Sequence, residues 1–563
     1  MAIGSVLVQR GTITQAQLDH ALVEQRSSGE RVDRVLVRLG YVSREQVLTA
    51  VGDQFHMPVV DLATMTVDPA VLSSLPAKLV YKQRCVPIKR ENGTLTIATS
   101  DPYEISALDE LRLLTGSTIE LVLADDDELH NFIRANYGVG GDTLDALSTR
   151  LDQSNAAIEA KPSHDSDVEQ AQEASVIKLV NDLLTEAVSD RATDVHIEPY
   201  EHELTVRYRI DGVLQRANVP ASINRFGLAI ISRLKIMANL NIAEKRRPQD
   251  GRIAFRCRPQ GQQPQEFDLR VSVIPMLFGE GVVLRVLSKT AVLMSLNDLG
   301  MPEQVRDDWS ALITRPHGIL LVTGPTGSGK STTLYASLKR VVSDEVKVIT
   351  VEDPVEYHVS GINQIQVNHK VGLDFSSGLR SILRHDPDVV MIGEIRDKET
   401  AETAIQASLT GHLVFSTLHT NDAAGAMTRL LDMGVEPFLV SSSLEGVMAQ
   451  RLVRRICTEC AALYTPDRAD VPKGFALPAG EQLKRGTGCR NCRNTGYRGR
   501  VGVYELLRIN DTLRAMIMDR VNAPRLASQA VADGNLATLL QDGYTKVRAG
   551  MTTLHEVASA LAS

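Results

Sequence analysis

The stretch HGILLVTGPTGSGKSTT, residues 317–333, decides the fold. Its first half is an apolar run, as in a strand buried on both faces of a sheet. Its second half, Gly324–Ser331, fits GxxxxGK[ST] in full. That spacing has a physical cause. Gly324, Gly327 and Gly329, with Pro325, Thr326 and Ser328 between them, let backbone N–H groups curl round a β-phosphate. Lys330 reaches the β/γ oxygens, and the Ser331 hydroxyl ligates Mg²⁺. A helix follows from Ser331, with Thr332 in its first turn, and a helix N-terminus favours an anion. Strand, glycine loop and helix predict a nucleotide site on a parallel sheet.

Two acidic stretches follow, each closing an apolar strand. VKVITVEDPVEY supplies Glu352, Asp353 and Glu356, and DVVMIGEIRD supplies Glu394. Strand ends beside a phosphate loop are where a metal-holding acid and a water-polarising acid belong. GHLVFSTLHTND adds His412 and His419. A lone histidine is more often structural; His419, just past a Ser-Thr strand end, is the candidate γ-phosphate sensor. Phosphoryl transfer also calls for positive charge, often supplied from outside the loop. Candidates are Arg207 and Arg209 in RYRIDG, and Arg380 and Arg384 in GLRSILRHDPD, with ordinary ion pairing the alternative for some of the four. Arg207 and Arg209 would have to reach a nucleotide held by another domain, which is natural in a ring of subunits.

At 563 residues the chain is too long for one core and predicts three or four domains. With 43% apolar and 23% charged residues it reads as an ordinary globular protein. No apolar stretch is long enough to span a membrane, and the first residues lack the pattern of a signal peptide. The expected location is therefore cytoplasmic, with any membrane role reached through a partner. A net charge of −8 argues against nucleic acid or anionic lipid as a general partner.

Working outward, Ile3–Gln25 and Val32–Gln54 form a tandem repeat at an offset of 29 residues. Leu7 matches Leu36, Gly11 matches Gly40, Ile13 matches Val42 and Gln25 matches Gln54. Thr14 and Ser43 stand at N-cap positions, and Leu18/Val47 and Leu22/Val51 follow at helical spacing. Each copy predicts helix, glycine turn and helix, and the two copies pack together. Residues 60–138 mix strands and helices, completing an N-terminal domain over 1–140. Residues 141–174 hold eight acids and no aromatic, a linker composition in which Leu144, Leu147 and Leu151 could form a brief helix. Residues 175–290 predict a second α/β domain, and 296–563 the nucleotide domain with helices from about Asn510. Cys457, Cys460, Cys489 and Cys492 form two CxxC pairs 28 residues apart, the spacing of a structural S₄ zinc site within 455–500. Cys85 and Cys257 read as packed thiols. The tract 484–500 carries six Lys/Arg and no acid, but little for bases to stack on, so a protein partner is expected before nucleic acid.

From about Ala174 onward the chain resembles the secretion-type ATPases, the assembly motors of type IV pili and of type II secretion. The resemblance is carried by ATDVHIEP, RYRIDG, AEKRRPQDGRI, GPTGSGKSTT, EDPVEY, GEIRD, GHLVFSTLHTNDA and DGYTKVRAGMTTLHEV. It implies an α/β multidomain fold with a P-loop, RecA-like ATPase core, preceded by smaller α/β domains (175–290 being PAS-like) and interrupted by a zinc knuckle. It implies Glu394 as the Walker B carboxylate, Glu352 or Glu356 as the Asp-box acid and His419 as a phosphate contact. Arg207, Arg209, Arg380 and Arg384 fall where that family contacts nucleotide. The knuckle fits assembly and export motors and not pilus-retraction members. Also implied are ATP, Mg²⁺ and Zn²⁺, a homo-hexamer, and an inner-membrane platform protein as partner at the cytoplasmic face. The N-terminal repeat is similar to a regulatory domain that binds cyclic di-GMP through two segments each opening Arg-Leu-Gly. Here the copies open Ala2-Ile3-Gly4 and Arg31-Val32-Asp33, so each lacks part of that signature.

Overall fold

The computed structural model describes residues 3–28, 31–62, 65–101, 108–141, 143–144, 147, 173–257, 264–288, 294–467, 471–472, 474–478 and 480–562. The chain forms two compact units, Met1–Leu287 and Ser288–Ser563.

In the first unit the tandem repeat becomes four helices, Ile3–Gln9, Gln15–Ser28, Val32–Arg38 and Arg44–Phe55. The two copies repeat each other's hydrogen bonds. Thr12 N donates to Leu7 O at 3.0 Å, and Tyr41 N to Leu36 O at 3.1 Å. Gly11 and Gly40 make the turns at φ 69° and 73°. Ser43 closes a capping box with Gln46, and Thr14 does the same with Gln17. Leu7, Ile13, Leu18, Leu36, Val42 and Val51 share one core, whereas Leu22 stands 38% exposed.

A three-stranded sheet follows, β1 (Cys85–Glu91), β2 (Thr94–Thr99) and β3 (Thr118–Leu123). Next comes the helix Ala174–Ser189 and a six-stranded sheet in the order β6-β5-β4-β9-β8-β7. Its strands are β4 (Ala192–Pro199), β5 (Leu204–Ile210), β6 (Val213–Arg216), β7 (Gln249–Cys257), β8 (Gln265–Met276) and β9 (Gly279–Ser288). Alternate residues of β5, Val206, Tyr208 and Ile210, join the core with Leu179, Leu183 and Leu234 of two helices. Leu144 and Leu147 are buried in that same core, while Leu151 and most of 141–174 lie outside the described residues.

The second unit is built on a seven-stranded sheet, β12-β11-β13-β14-β10-β15-β18. The strands are β10 (Gly318–Thr323), β11 (Val348–Glu352), β12 (Ile362–Gln366), β13 (Val389–Ile392), β14 (Leu413–Leu418), β15 (Leu444–Ile456) and β18 (Tyr497–Arg508); the pair β16 (Ala461–Tyr464) and β17 (Leu483–Gly486) forms a separate hairpin. Apart from β18, which runs antiparallel to β15, the pairings are parallel. The apolar run of β10 has its reason here. Ile319 and Leu321 enter the core on one face, and Leu320 and Val322 the core on the other. This is the mixed, parallel-sheet α/β architecture that the opening stretch predicts. Among the described residues, no helix is long and apolar enough to cross a membrane.

Candidate active site

The loop after β10 is shaped by backbone that only glycine adopts freely. Gly324, Gly327 and Gly329 have φ of 146°, 79° and 90°. A Cβ on Gly324 would lie 2.5 Å from Gln450 O, and one on Gly329 would lie 2.7 Å from Gln450 Nε2. The buried side chain of Gln450 is itself fixed, since its Oε1 accepts from Thr333 Oγ1 at 2.7 Å. Pro325, Thr326 and Gly327 face solvent, and the helix Lys330–Val341 starts at the loop's end with Ser331 and Thr332 in its first turn. The Lys330 ammonium folds back onto Gly324 O at 2.8 Å and Pro325 O at 3.0 Å. Burial pushes its pKa down to about 8, Glu394 and Glu356 oppose that, and Arg451 adds to it. A phosphate brought between Lys330 and the loop amides would replace carbonyl partners with a charged one. The Ser328 hydroxyl, buried and without a hydrogen-bond partner, points the same way. The loop thus fits a nucleotide phosphate, and Ser331 stands where it would hold Mg²⁺.

Glu394 and His419, separated in sequence, meet at the carboxyl ends of β13 and β14: His419 Nε2 is 3.4 Å from Glu394 Oε2. The carboxylate is largely covered, and its other oxygen pairs with Arg396. Glu352 ends β11 and is buried, accepting from Thr350 Oγ1 at 2.6 Å, Gln364 Nε2 at 3.1 Å and the Tyr335 hydroxyl. Its acceptor sites are occupied by the fold, whereas Glu356 is exposed and is felt electrostatically by Lys330. His412 is held in a turn, its Nδ1 2.8 Å from Ala407 O.

The arginines fall into two groups. Arg380 pairs with Glu399 and donates to Ser376 Oγ at 2.7 Å, and Arg384 donates to Arg380 O at 3.0 Å. These are contacts within the helix Phe375–Ile382 and its C-terminal turn, and one to the helix Lys398–Leu409. Arg207 and Arg209 belong to the first unit and stand on the sheet face opposite its core, Arg207 on Glu198 and Arg209 3.5 Å from Asp194. The sequence reading missed Arg396, Gln450 and Arg451. Arg396 was legible as a base two residues past Glu394, while Gln450 and Arg451 sit in a strand 120 residues beyond the loop and carry no local signal.

The four cysteines converge as their spacing predicts. Their sulfurs all lie within 4.8 Å of one another, and Cys457–Cys489, Cys460–Cys492 and Cys489–Cys492 are 3.7, 3.8 and 3.6 Å apart. A tetrahedral site with Zn–S bonds of about 2.3 Å has S···S edges of about 3.8 Å. Backbone N–H groups of Cys489 and Gly496 donate to Cys492 Sγ at 3.1 and 3.2 Å, as a thiolate knuckle requires. The donor set fits zinc with no position left for water.

Residues 169–559 match the family described as type II/IV secretion system protein. The chain belongs to that family. Residues 55–143 match the MshEN domain, which begins where the tandem repeat ends. This secretion ATPase is 41% identical over 562 residues to the type IV pilus assembly ATPase PilB of Myxococcus xanthus, covering 99% of this chain and 98% of that one. It is 51% identical over 495 residues to the type II secretion system protein E of Dickeya dadantii, covering 87% and 97%. Its fold is shared with the Yersinia pseudotuberculosis ATPase DotB, at 21% identity and a TM-score of 0.51 over 68% of this chain and 92% of that one. Such kinship favours an ATPase over the other reading that the repeat and the phosphate loop allow, a nucleotide- or cyclic di-GMP-gated binding module that hydrolyses little.

Proposed function

We propose that this chain is the motor that couples ATP hydrolysis to assembly of a type IV pilus or a type II secretion pseudopilus. The observation that carries the reading is the meeting of phosphate loop, Glu394 and His419 at one end of a parallel sheet. Residues 324–332 cradle the phosphates, Lys330 shifts from loop carbonyls to the β/γ oxygens, and Ser331 holds Mg²⁺. The metal, when bound, neutralises charge on those oxygens. Glu394 is the Walker B acid, and His419 the group that senses the γ-phosphate. Glu356, exposed near Lys330, suits the Asp-box role; Glu352, buried in hydrogen bonds, suits anchoring of β11.

The working form is a homo-hexamer at the cytoplasmic face of the inner membrane, reaching the membrane through a platform protein. Arg207 and Arg209 act in trans on a nucleotide held by a neighbouring copy, with Arg380 and Arg384 supplementing them. The cysteine quartet holds a structural Zn²⁺. Cyclic di-GMP is the ligand we assign to the N-terminal domain, supported by its repeat and by the MshEN match. Calorimetric titration of the intact protein with cyclic di-GMP tests that part, and absence of heat removes it. The main test is ATP turnover per subunit against protein concentration, with oligomer size recorded in parallel. Specific activity that rises as hexamers form supports completion of the site across subunits. Equal hydrolysis by monomers removes the trans role of the arginines.

A further inference from the structure

The segment 419–422 carries the His419 imidazole and belongs to neither strand nor helix. A short surface loop of this kind is ordinarily free to adjust. Here its backbone is gripped on both sides by buried side chains from three strands. Thr323 Oγ1, at the end of β10, lies 3.0 Å from Leu418 O and accepts from Thr420 N at 2.9 Å. Arg451 Nη2, from β15, donates to Asn421 O at 2.9 Å. Glu505 Oε1, from β18, accepts from Ala423 N at 2.8 Å. Thr323 is 0% exposed, and Arg451 and Glu505 are each 5% exposed.

We propose that Thr323, Arg451 and Glu505 are positioning residues that clamp the His419 loop to the phosphate loop. The proposal rests on the phosphate-loop reading above and deepens it. Two contacts tie the clamp to that loop. Thr323 immediately precedes Gly324 in the chain. Arg451 Nη1 donates to Gln450 O at 3.1 Å, the carbonyl that a Cβ on Gly324 would strike at 2.5 Å. One guanidinium therefore joins the carbonyl beneath the phosphate loop to a carbonyl two residues past His419. A planar fork presents its donors at fixed angles, so it sets the two carbonyls' relative positions more tightly than a rotating ammonium would.

The energetics favour a geometric role over a stabilising one. A guanidinium taken out of water is costly unless paired, and an apolar side chain would fill the same space more cheaply. Burial pushes Arg451 down, and the carboxylates of Glu505 and Asp422 offset that only in part. Glu505 is pushed up by burial and held by the amides of Ala423 and Leu539, each at the start of a helix. For both groups burial outweighs the nearby charges and amides, so the pair is a cost to stability, and what it fixes is the path of residues 418–423.

The test is a double-mutant cycle in the full-length protein. Arg451→Lys keeps the charge but loses the two-pronged grip. Turnover of ATP is expected to fall about tenfold or more, as misplacement of a reacting group costs. The Kd for a fluorescent ATP analogue should stay within about threefold of native, because the loop and Lys330 remain. In a His419→Ala background the same change should alter turnover less than about twofold, since the group being positioned is gone. An equal factor in both backgrounds overturns the proposal, as does native-like turnover in Arg451→Lys. Should that variant fail to fold, Thr323→Val enters the same cycle: coupling to His419 supports the clamp, and additivity overturns it. Native protein that neither binds nor hydrolyses ATP overturns the phosphate-loop reading itself, and the clamp with it. Normal native turnover with an additive cycle overturns the clamp alone.

Discussion

A methyl group added at Gly329 is a graded probe of whether the phosphate loop binds nucleotide in the conformation described. Two costs follow from the geometry. The first is backbone: at φ 90° an L side chain is strained by about 1–2 kcal/mol. The second is contact: the new Cβ would sit 2.7 Å from Gln450 Nε2, and Gln450 cannot retreat without breaking its 2.7 Å bond from Thr333. Losing that buried bond adds about 1 kcal/mol. The sum, about 2–3 kcal/mol, corresponds to a loss of roughly 30- to 150-fold in affinity. Gly327→Ala is the internal control. Its φ is 79°, but no atom lies within 4 Å of the added Cβ, so only the backbone cost applies. That cost is roughly 5- to 30-fold. Equilibrium binding of a fluorescent ATP analogue with Mg²⁺ reads both variants, with circular dichroism to check the fold. Gly329→Ala binding no worse than Gly327→Ala, or within about threefold of native, would refute the reasoning.

Three further outcomes are expected. Lys330→Ala and Glu394→Gln should abolish ATP turnover without changing the melting profile, and full activity in both would remove the site assignment. Metal analysis of purified protein should find one zinc per chain, lost in Cys489→Ser; a native protein free of metal would contradict the S₄ reading. Arg454 grips Glu556 with Nε and Nη2 at 2.9 and 2.6 Å, joining β15 to the helix Leu554–Ala562. Burial alone would raise the Glu556 pKa, but the guanidinium holds it below the ordinary carboxylate value. The stability it contributes is therefore present above that ordinary value and lost as pH falls through the depressed one. Glu556→Gln should lower the melting temperature at pH 7, with the gap to native closing in acid; a gap that is constant with pH would show that the pair does not act through charge.

Local patterns in the chain determined a good deal. The run 317–333 determined a strand, a glycine loop and a helix, because each is a matter of backbone geometry and nearest neighbours. The offset-29 repeat determined two matched helix–turn–helix units down to their caps, because caps act over three or four residues. The spacing of Cys457, Cys460, Cys489 and Cys492 pointed to the sulfur cluster, since each CxxC knuckle is local and two knuckles together make an S₄ donor set. Glu394 and His419 were legible as strand-end residues for the same reason.

Only the tertiary structure decided how such residues meet. Glu352 and Glu356 are equivalent on paper. Burial of the first among Tyr335, Thr350 and Gln364 separates their surroundings. Arg380 and Arg384 carry the same charge as Arg451, yet Arg451 alone of the three lies beneath the phosphate loop. Its position there cannot be read from its neighbours in the chain. A parallel sheet brings β15 beside β10 only after more than a hundred intervening residues have crossed over. Sequence specifies contacts that close within a turn; contacts between strands so far apart are set by the packing of both faces of the sheet at once.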